Sequence, residues 1–330
     1  MKNNHPKINF GKTGILLVNL GTPDSTSWLD IRKYLKEFLS DRRVIELNPI
    51  LWKVILNLFI LNFRPSKTAK AYKEIWMKKE NVSPLLYYTQ KQTNKISKLI
   101  SNDNIVVDFA MRYGNPSIRK KINILHQCGC ENLIVLPLYP QYAAATTATV
   151  CDEVYRVLMS MRWQPSLKII PHYESHPLYI DALVNSINDK IKNLSWKPDL
   201  ILASYHGIPK KYFDKGDPYH CYCHKTTRLI SEKFKSVEIK TTFQSRFGPQ
   251  EWLQPYTDKT LENLPGEGKK NVLAICPGFS SDCVETLEEI HIQGKETFIK
   301  SGGKNFDMIA CLNDNDDHIK VLKNLIETNI

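Results

Sequence analysis

Short apolar, β-branched runs alternate with longer amphipathic stretches along all 330 residues, the pattern of parallel strands covered by helices. The runs fall at 15–20, 105–111, 133–138, 167–171, 200–205, 239–244, 272–275 and 306–311. Helices are predicted over 27–39, 67–77, 85–99, 117–127, 147–161, 177–193, 224–234, 282–300 and 316–327. The strands divide into two sets of four with matching ends. The first strand of each set runs into Gly-x-Pro, at Gly21-Thr22-Pro23 and Gly207-Ile208-Pro209. The second strands end in Arg112-Tyr113-Gly114 and Arg246-Phe247-Gly248, and the third run into Leu136-Pro137-Leu138-Tyr139 and Cys276-Pro277-Gly278-Phe279. Gly and Pro after a strand are ordinary turn chemistry, but three matches in one order point to duplication. The predicted fold is α/β. It has two Rossmann-like halves, 1–172 and 173–330, each a four-stranded parallel sheet flanked by helices. Ligands of open α/β sheets sit outside the carboxyl ends of the strands, so a cleft between facing halves is the expected site.

The first half carries an insertion, about 42–83, in which the run from Ile50 to Phe63 lies between Pro49 and Pro65. That run is too short to span a bilayer and too apolar to lie bare in water. It reads either as a core helix or as a lip that dips into a membrane face and admits an apolar substrate. Nearby Arg42, Arg43, Lys53 and Arg64 suit anionic headgroups or substrate carboxylates. The formal net charge of +11 favours acidic partners of some kind. No basic stripe with interleaved aromatics is present, so nucleic acid is not an expected partner. Residues 1–13 have no apolar core, so no export leader is expected. In a cytoplasmic chain the eight cysteines are then thiols or metal ligands rather than disulfides.

The strand ends carry a set of motifs that together resemble the ferrochelatases. Gly-Ile-Leu-Leu-Val-Asn-Leu-Gly-Thr-Pro at 14–23 resembles their opening strand. Met-Arg-Tyr-Gly at 111–114, Leu-Tyr-Pro-Gln-Tyr at 138–142, Ser-Tyr-His-Gly-Ile-Pro at 204–209 and Gly-Asp-Pro-Tyr at 216–219 follow in the family's order. Phe-Gln-Ser-Arg-Phe-Gly-Pro at 243–249, Trp252-Leu253 with Pro255, and Pro-Gly-Phe-Ser-Ser-Asp-Cys-Val-Glu-Thr-Leu at 277–287 complete the set. The resemblance covers nearly the whole chain. It implies that the cleft holds a porphyrin and that the reaction is insertion of Fe²⁺ into protoporphyrin IX, giving haem and two protons. The family uses a Rossmann-like fold without a nucleotide, and this chain has neither Gly-x-Gly-x-x-Gly nor a P-loop. The resemblance also implies no organic cofactor, ferrous iron as the substrate metal, and a monomer or weak homodimer. The enzyme is expected in the cytoplasm, held by its apolar lip to the inner face of the membrane.

Metal insertion needs a partly dehydrated cation, acceptors for two pyrrole protons, and strain on a flat macrocycle supplied by binding energy. His206, at a strand end, matches the family's catalytic histidine, as proton acceptor, metal ligand or both. Asp282, Glu285 and Glu289 are spaced i, i+3 and i+7, which on an α-helix puts three carboxylates on one face. Alone, that spacing suits an Asp N-cap with acids in the first turn. The match to the family's acidic motif assigns Glu285 to face His206 as metal ligand or proton acceptor, with Asp282 and Glu289 as a path for protons or metal. One departure stands here: some relatives, including the animal enzymes, carry a second histidine where this chain has Cys283. Asn19, Leu20, Tyr72, Ser83, Arg112, Tyr113, Tyr139 and Trp252 match positions lining the family's cleft. Arg112 is the expected partner of a porphyrin propionate, since a guanidinium holds a carboxylate bidentately.

Two further motifs look metallic. His220-Cys221-Tyr222-Cys223-His224 lacks the spacing of a closed zinc site, and adjacent residues do not all converge on one ion. Cys128-Gly129-Cys130 suggests an iron–sulfur site, but the cysteine-bearing C-terminal extension of the animal enzymes has no counterpart, and no [2Fe–2S] cluster is expected. His172 and His176 are four apart but bracketed by Pro171 and Pro177, so a loop is expected there. The rival readings are a chelatase that loads another metal, such as cobalt, into another tetrapyrrole, and a bilobed binding protein without chemistry. The apolar lip argues against highly carboxylated tetrapyrroles, and the motif set resembles protoporphyrin enzymes more than coproporphyrin ones.

Overall fold

All eight expected strands form, in two parallel sheets of four with one topology. A computed structural model describes residues 10–100 and 102–330. The first sheet contains β1 (Lys12–Thr22), β2 (Ile105–Gly114), β3 (Cys130–Pro137) and β4 (Ser166–Ile169), in the order β2-β1-β3-β4. The second contains β5 (Leu200–His206), β6 (Ile239–Gln244), β7 (Asn271–Ile275) and β8 (Asn305–Met308), in the order β6-β5-β7-β8. The first strand of each half is therefore central, and the last is an edge. Ile15, Leu16, Leu17 and Val18 have no exposed surface, which is why β1 reads as an unbroken apolar run rather than an alternation. The edge strands β4 and β8 pair on one side only and stop short of the expected 171 and 311. Gly21 closes β1 at φ +119°. A Cβ there would meet the Tyr113 carbonyl oxygen at 1.8 Å, so the close approach of β1 and β2 requires glycine.

The two halves share one apolar core. Ile15, Leu17 and Ile134 of the first sheet belong to the same packed cluster as Ile201, Ala203 and Ile275 of the second. Polar contacts also cross. Gln92, on the helix Pro84–Ile100, donates to the Ser281 hydroxyl and to the Asn313 carbonyl, each at 2.9 Å. The Ala144 N–H donates to the Asp217 carboxylate at 2.8 Å, tying the Gly-Asp-Pro-Tyr loop to the first half.

Helix positions depart from expectation where π-turns enter. The insertion forms Pro49–Ile55, a π-turn Leu56–Ile60, and Leu61–Ile75, so the helix expected from 67 starts earlier. A π-turn at Ala144–Ala148 precedes the helix Thr149–Met159. The stretch expected as an α-helix over 282–300 is a π-helix, Val284–Gly294, continued by Lys295–Lys300. The helix expected from 224 begins at Tyr219. The insertion is core on one face and bare on the other. Trp52, Leu56 and Leu61 are buried, whereas Ile50, Leu51, Phe59 and Phe63 are exposed, Phe63 by 75%. No helix among the described residues is long and apolar enough to cross a membrane.

Candidate functional site

A cavity of about 1330 Å³ opens between the carboxyl ends of the two sheets and runs under the insertion. That volume is at or above the upper end of ordinary ligand pockets, about 300–1,000 Å³. His206, the last residue of β5, lines it and is half-buried. Its Nδ1 lies 2.6 Å from the Gly207 carbonyl oxygen. A carbonyl only accepts, so Nδ1 carries the proton and the basic lone pair is on Nε2.

The π-helix Val284–Gly294 supplies the acidic wall. Its hydrogen bonds run i to i+5, so residues four apart stack on one side, and Glu285 and Glu289 both line the cavity. Two residues at the end of β6, the neighbour of β5, hold them in place. The Gln244 side-chain amide donates to the Glu285 backbone carbonyl at 2.7 Å, and the Ser245 hydroxyl donates to the Glu289 carboxylate at 2.5 Å. Ser245 does so from a left-handed backbone, φ 65°. Burial pushes the Glu289 carboxyl above the usual carboxylate range, against the opposing effects of the Ser245 bond and the nearby imidazole of His206. Glu288 lines the cavity too, and neither it nor Ser245 was legible as a site residue beforehand.

Asp282 is placed differently from the expectation. It is buried outside the cavity lining and is not the helix cap. Its carboxylate accepts from the Asn313 amide at 2.6 Å, the Cys311 N–H at 3.1 Å and the Thr286 hydroxyl at 3.2 Å. Cys283 takes the cap position, in a reciprocal capping box with Thr286. Burial holds the Cys283 thiol well above its ordinary pKa, so it is protonated near neutral pH. No 3.6-residue turn starts at Asp282, because the helix begins at Val284 and is a π-helix.

Asn19, Leu20, Tyr72, Ser83, Tyr139 and Trp252 also line the cavity, Trp252 packed beside Gly207 next to His206. The Asn19 amide donates to the Thr89 hydroxyl at 3.0 Å, and Ser83 accepts from the Leu86 N–H at 3.2 Å. The buried Tyr139 hydroxyl has no hydrogen-bond partner among the described residues. Arg112 and Tyr113 do not line the cavity. Arg112 is buried, pairs with Asp41 and donates to the Thr149 carbonyl at 2.8 Å, while Tyr113 donates to the same Asp41 at 3.0 Å. Both are committed to fixing the start of the insertion, so Arg112 is not free for the propionate expected of it. Arg64 lines the cavity, lies 4.7 Å from the Phe247 ring centroid, and among the described residues has no ion pair or hydrogen bond. Burial lowers its pKa, and Glu285 opposes that shift.

The cysteines of the metallic-looking motifs do not converge. Cys128 and Cys221 are exposed while Cys130 and Cys223 are buried, and no group of three His, Cys, Asp or Glu converges among the described residues. His172 lies in a loop, as expected, with its Nδ1 2.5 Å from the buried carboxylate of Glu174.

Comparison with known proteins agrees with this architecture. The family model Ferrochelatase matches residues 12–330. A Ferrochelatase of Allorhizobium ampelinum is 54% identical over 325 residues, 98% of this chain and 94% of that one. A Ferrochelatase of Francisella tularensis is 52% identical, covering 97% of both. Among solved structures, "SirB from Bacillus subtilis with Fe3+" superposes with a TM-score of 0.58 at 12% identity, over 96% of this chain and 94% of that one, a likeness of fold. Sequence identity of this extent, over two facing parallel sheets with a histidine and carboxylates at their carboxyl ends, places the chain in the ferrochelatase family, the metal-chelating lyases of haem synthesis.

Proposed function

We propose that the cavity takes protoporphyrin IX flat between the two sheets, and that Fe²⁺ enters it between His206 and Glu285. The observation that carries this reading is the pairing, across one large cavity, of a histidine whose lone pair is on Nε2 with two carboxylates of a π-helix. The reaction releases two protons for each iron inserted. His206 Nε2 takes one. Glu289, which lines the same cavity and whose carboxyl is raised by burial, takes or relays the other. Glu285 stays available to hold the cation. Asp282 acts behind them: by fixing Asn313, Cys311 and Thr286 it sets where the π-helix begins.

Arg64 is the proposed partner of a propionate, in place of Arg112. Phe59 and Phe63, exposed at the cavity's edge, are the proposed contact with the inner face of the membrane, from which an apolar porphyrin reaches the cavity without crossing water. The division at 172/173 separates the half that carries this lip from the half that carries His206 and the acidic helix. An anaerobic assay of Fe²⁺ with proto- and coproporphyrin side by side tests the substrate assignment. Faster product formation from protoporphyrin supports it, and a preference for coproporphyrin overturns it.

A further inference from the structure

We propose that His220 and His224 form a second metal site, outside the porphyrin cavity, for an imidazole-preferring divalent transition metal. Both residues lie on the regular helix Tyr219–Lys233, four apart and so on one face. Their ring centroids are 4.4 Å apart and tilted by 51°. Two imidazoles bound to one ion at about 2.0–2.1 Å place their centroids about 4.5–5 Å apart, so small rotations suffice. Among the described residues neither ring has a hydrogen bond or ion pair; their neighbours are aromatic. Phe243 lies 5.7 Å from His220 and 6.0 Å from His224, and Phe213 lies 5.0 Å from His220. Burial lowers the pKa of both, which leaves them neutral and able to ligate near pH 7. His224 is packed on Phe243 on one side and open to solvent on the other, so water fills the remaining coordination positions.

The intervening cysteines stay out of this site. No third His, Cys, Asp or Glu converges with the pair among the described residues, and Cys223 is buried. The site is also separate from the chemistry. Phe243 and Gln244 are neighbours on β6, and successive residues of a strand point to opposite faces. Gln244 reaches the π-helix, whereas Phe243 carries the histidine pair on the other side of the sheet. Neither histidine lines the cavity. A two-imidazole donor set holds Ni²⁺, Cu²⁺ or Zn²⁺ more tightly than Fe²⁺, so this site binds metals other than the iron substrate.

The test is Ni²⁺ titrated into the full-length wild-type protein, read by calorimetry and by paramagnetic broadening of histidine ring signals. Assignment comes from the signals lost in His220→Ala and in His224→Ala. The expected result is early broadening of those two signals. Each variant should weaken one Ni²⁺ binding event by about tenfold or more, as loss of one of two ligands demands. Both variants should make zinc porphyrin at the wild-type rate. Broadening confined to other histidines, or Ni²⁺ affinity within about twofold of wild type in His224→Ala, overturns the proposal.

Discussion

The side-chain amide of Gln244 donates to the backbone carbonyl of Glu285 at 2.7 Å, joining the last residue of an edge strand to the first turn of the π-helix. One strand end thus positions the acidic wall, just as the neighbouring strand end positions His206. Gln244→Leu should therefore lower the rate of metal insertion more than it weakens porphyrin binding, since it shifts Glu285 without touching the apolar wall. Steady-state zinc-porphyrin synthesis, with kcat and KM separated, checks this.

Glu289 links the site to pH. Its carboxyl is raised above the unfolded value chiefly by burial. The folded protein therefore holds that proton more tightly, and the resulting stability is present at low pH and lost as pH rises through the folded pKa. Glu289→Gln removes the charged form. The variant should gain thermal stability relative to wild type at pH 8, with the gain shrinking toward the ordinary Glu range near about pH 4. Melting curves across pH measure it, and a gain that grows on acidification contradicts the assignment.

Arg112 and Arg64 should separate fold from binding. Arg112 is 8% exposed and paired with Asp41. Removing one partner of a buried pair costs about 3–5 kcal/mol, so Arg112→Ala should lower the melting temperature sharply. Arg64→Ala should leave it nearly unchanged and weaken porphyrin binding, as read by quenching of intrinsic fluorescence.

The insertion invites a paired substitution. Phe59 and Phe63 are 58% and 75% exposed, but Leu56 is 2% exposed. Phe59→Asp with Phe63→Asp should abolish binding to anionic liposomes in a folded protein, because each buried charge at full depth costs about 2.5–3.5 kcal/mol. Leu56→Asp should unfold the insertion instead.

The strands were readable because burial on both faces leaves one signature, an apolar β-branched run, as at Ile15–Val18. Their duplication was readable because a parallel sheet places turn residues at the same end of each strand. The π-helix was not readable. Its side-chain period differs from 3.6, so Asp282, Glu285 and Glu289 looked like one face, although Asp282 lies before the helix and is consumed by Asn313. Arg112 was misjudged for a related reason: sequence shows a cation beside a strand end but not the Asp41 that already occupies it. The two-sided character of the insertion was likewise hidden, since Leu56 and Phe59 are equally apolar in sequence. His220 and His224 emerged as a pair only once the helix was seen to begin at Tyr219.

The central claim is that His206 Nε2 accepts a pyrrole proton in the cavity. Loss of a general base typically costs about 10²–10⁴ in rate, roughly 3–5 kcal/mol of barrier. The direct measurement is zinc-porphyrin formation by His206→Ala, with porphyrin binding titrated on the same preparation. The account predicts a folded protein that binds protoporphyrin with near wild-type affinity and forms product at least about a hundredfold more slowly. Turnover within a few fold of wild type, with binding intact, would contradict it.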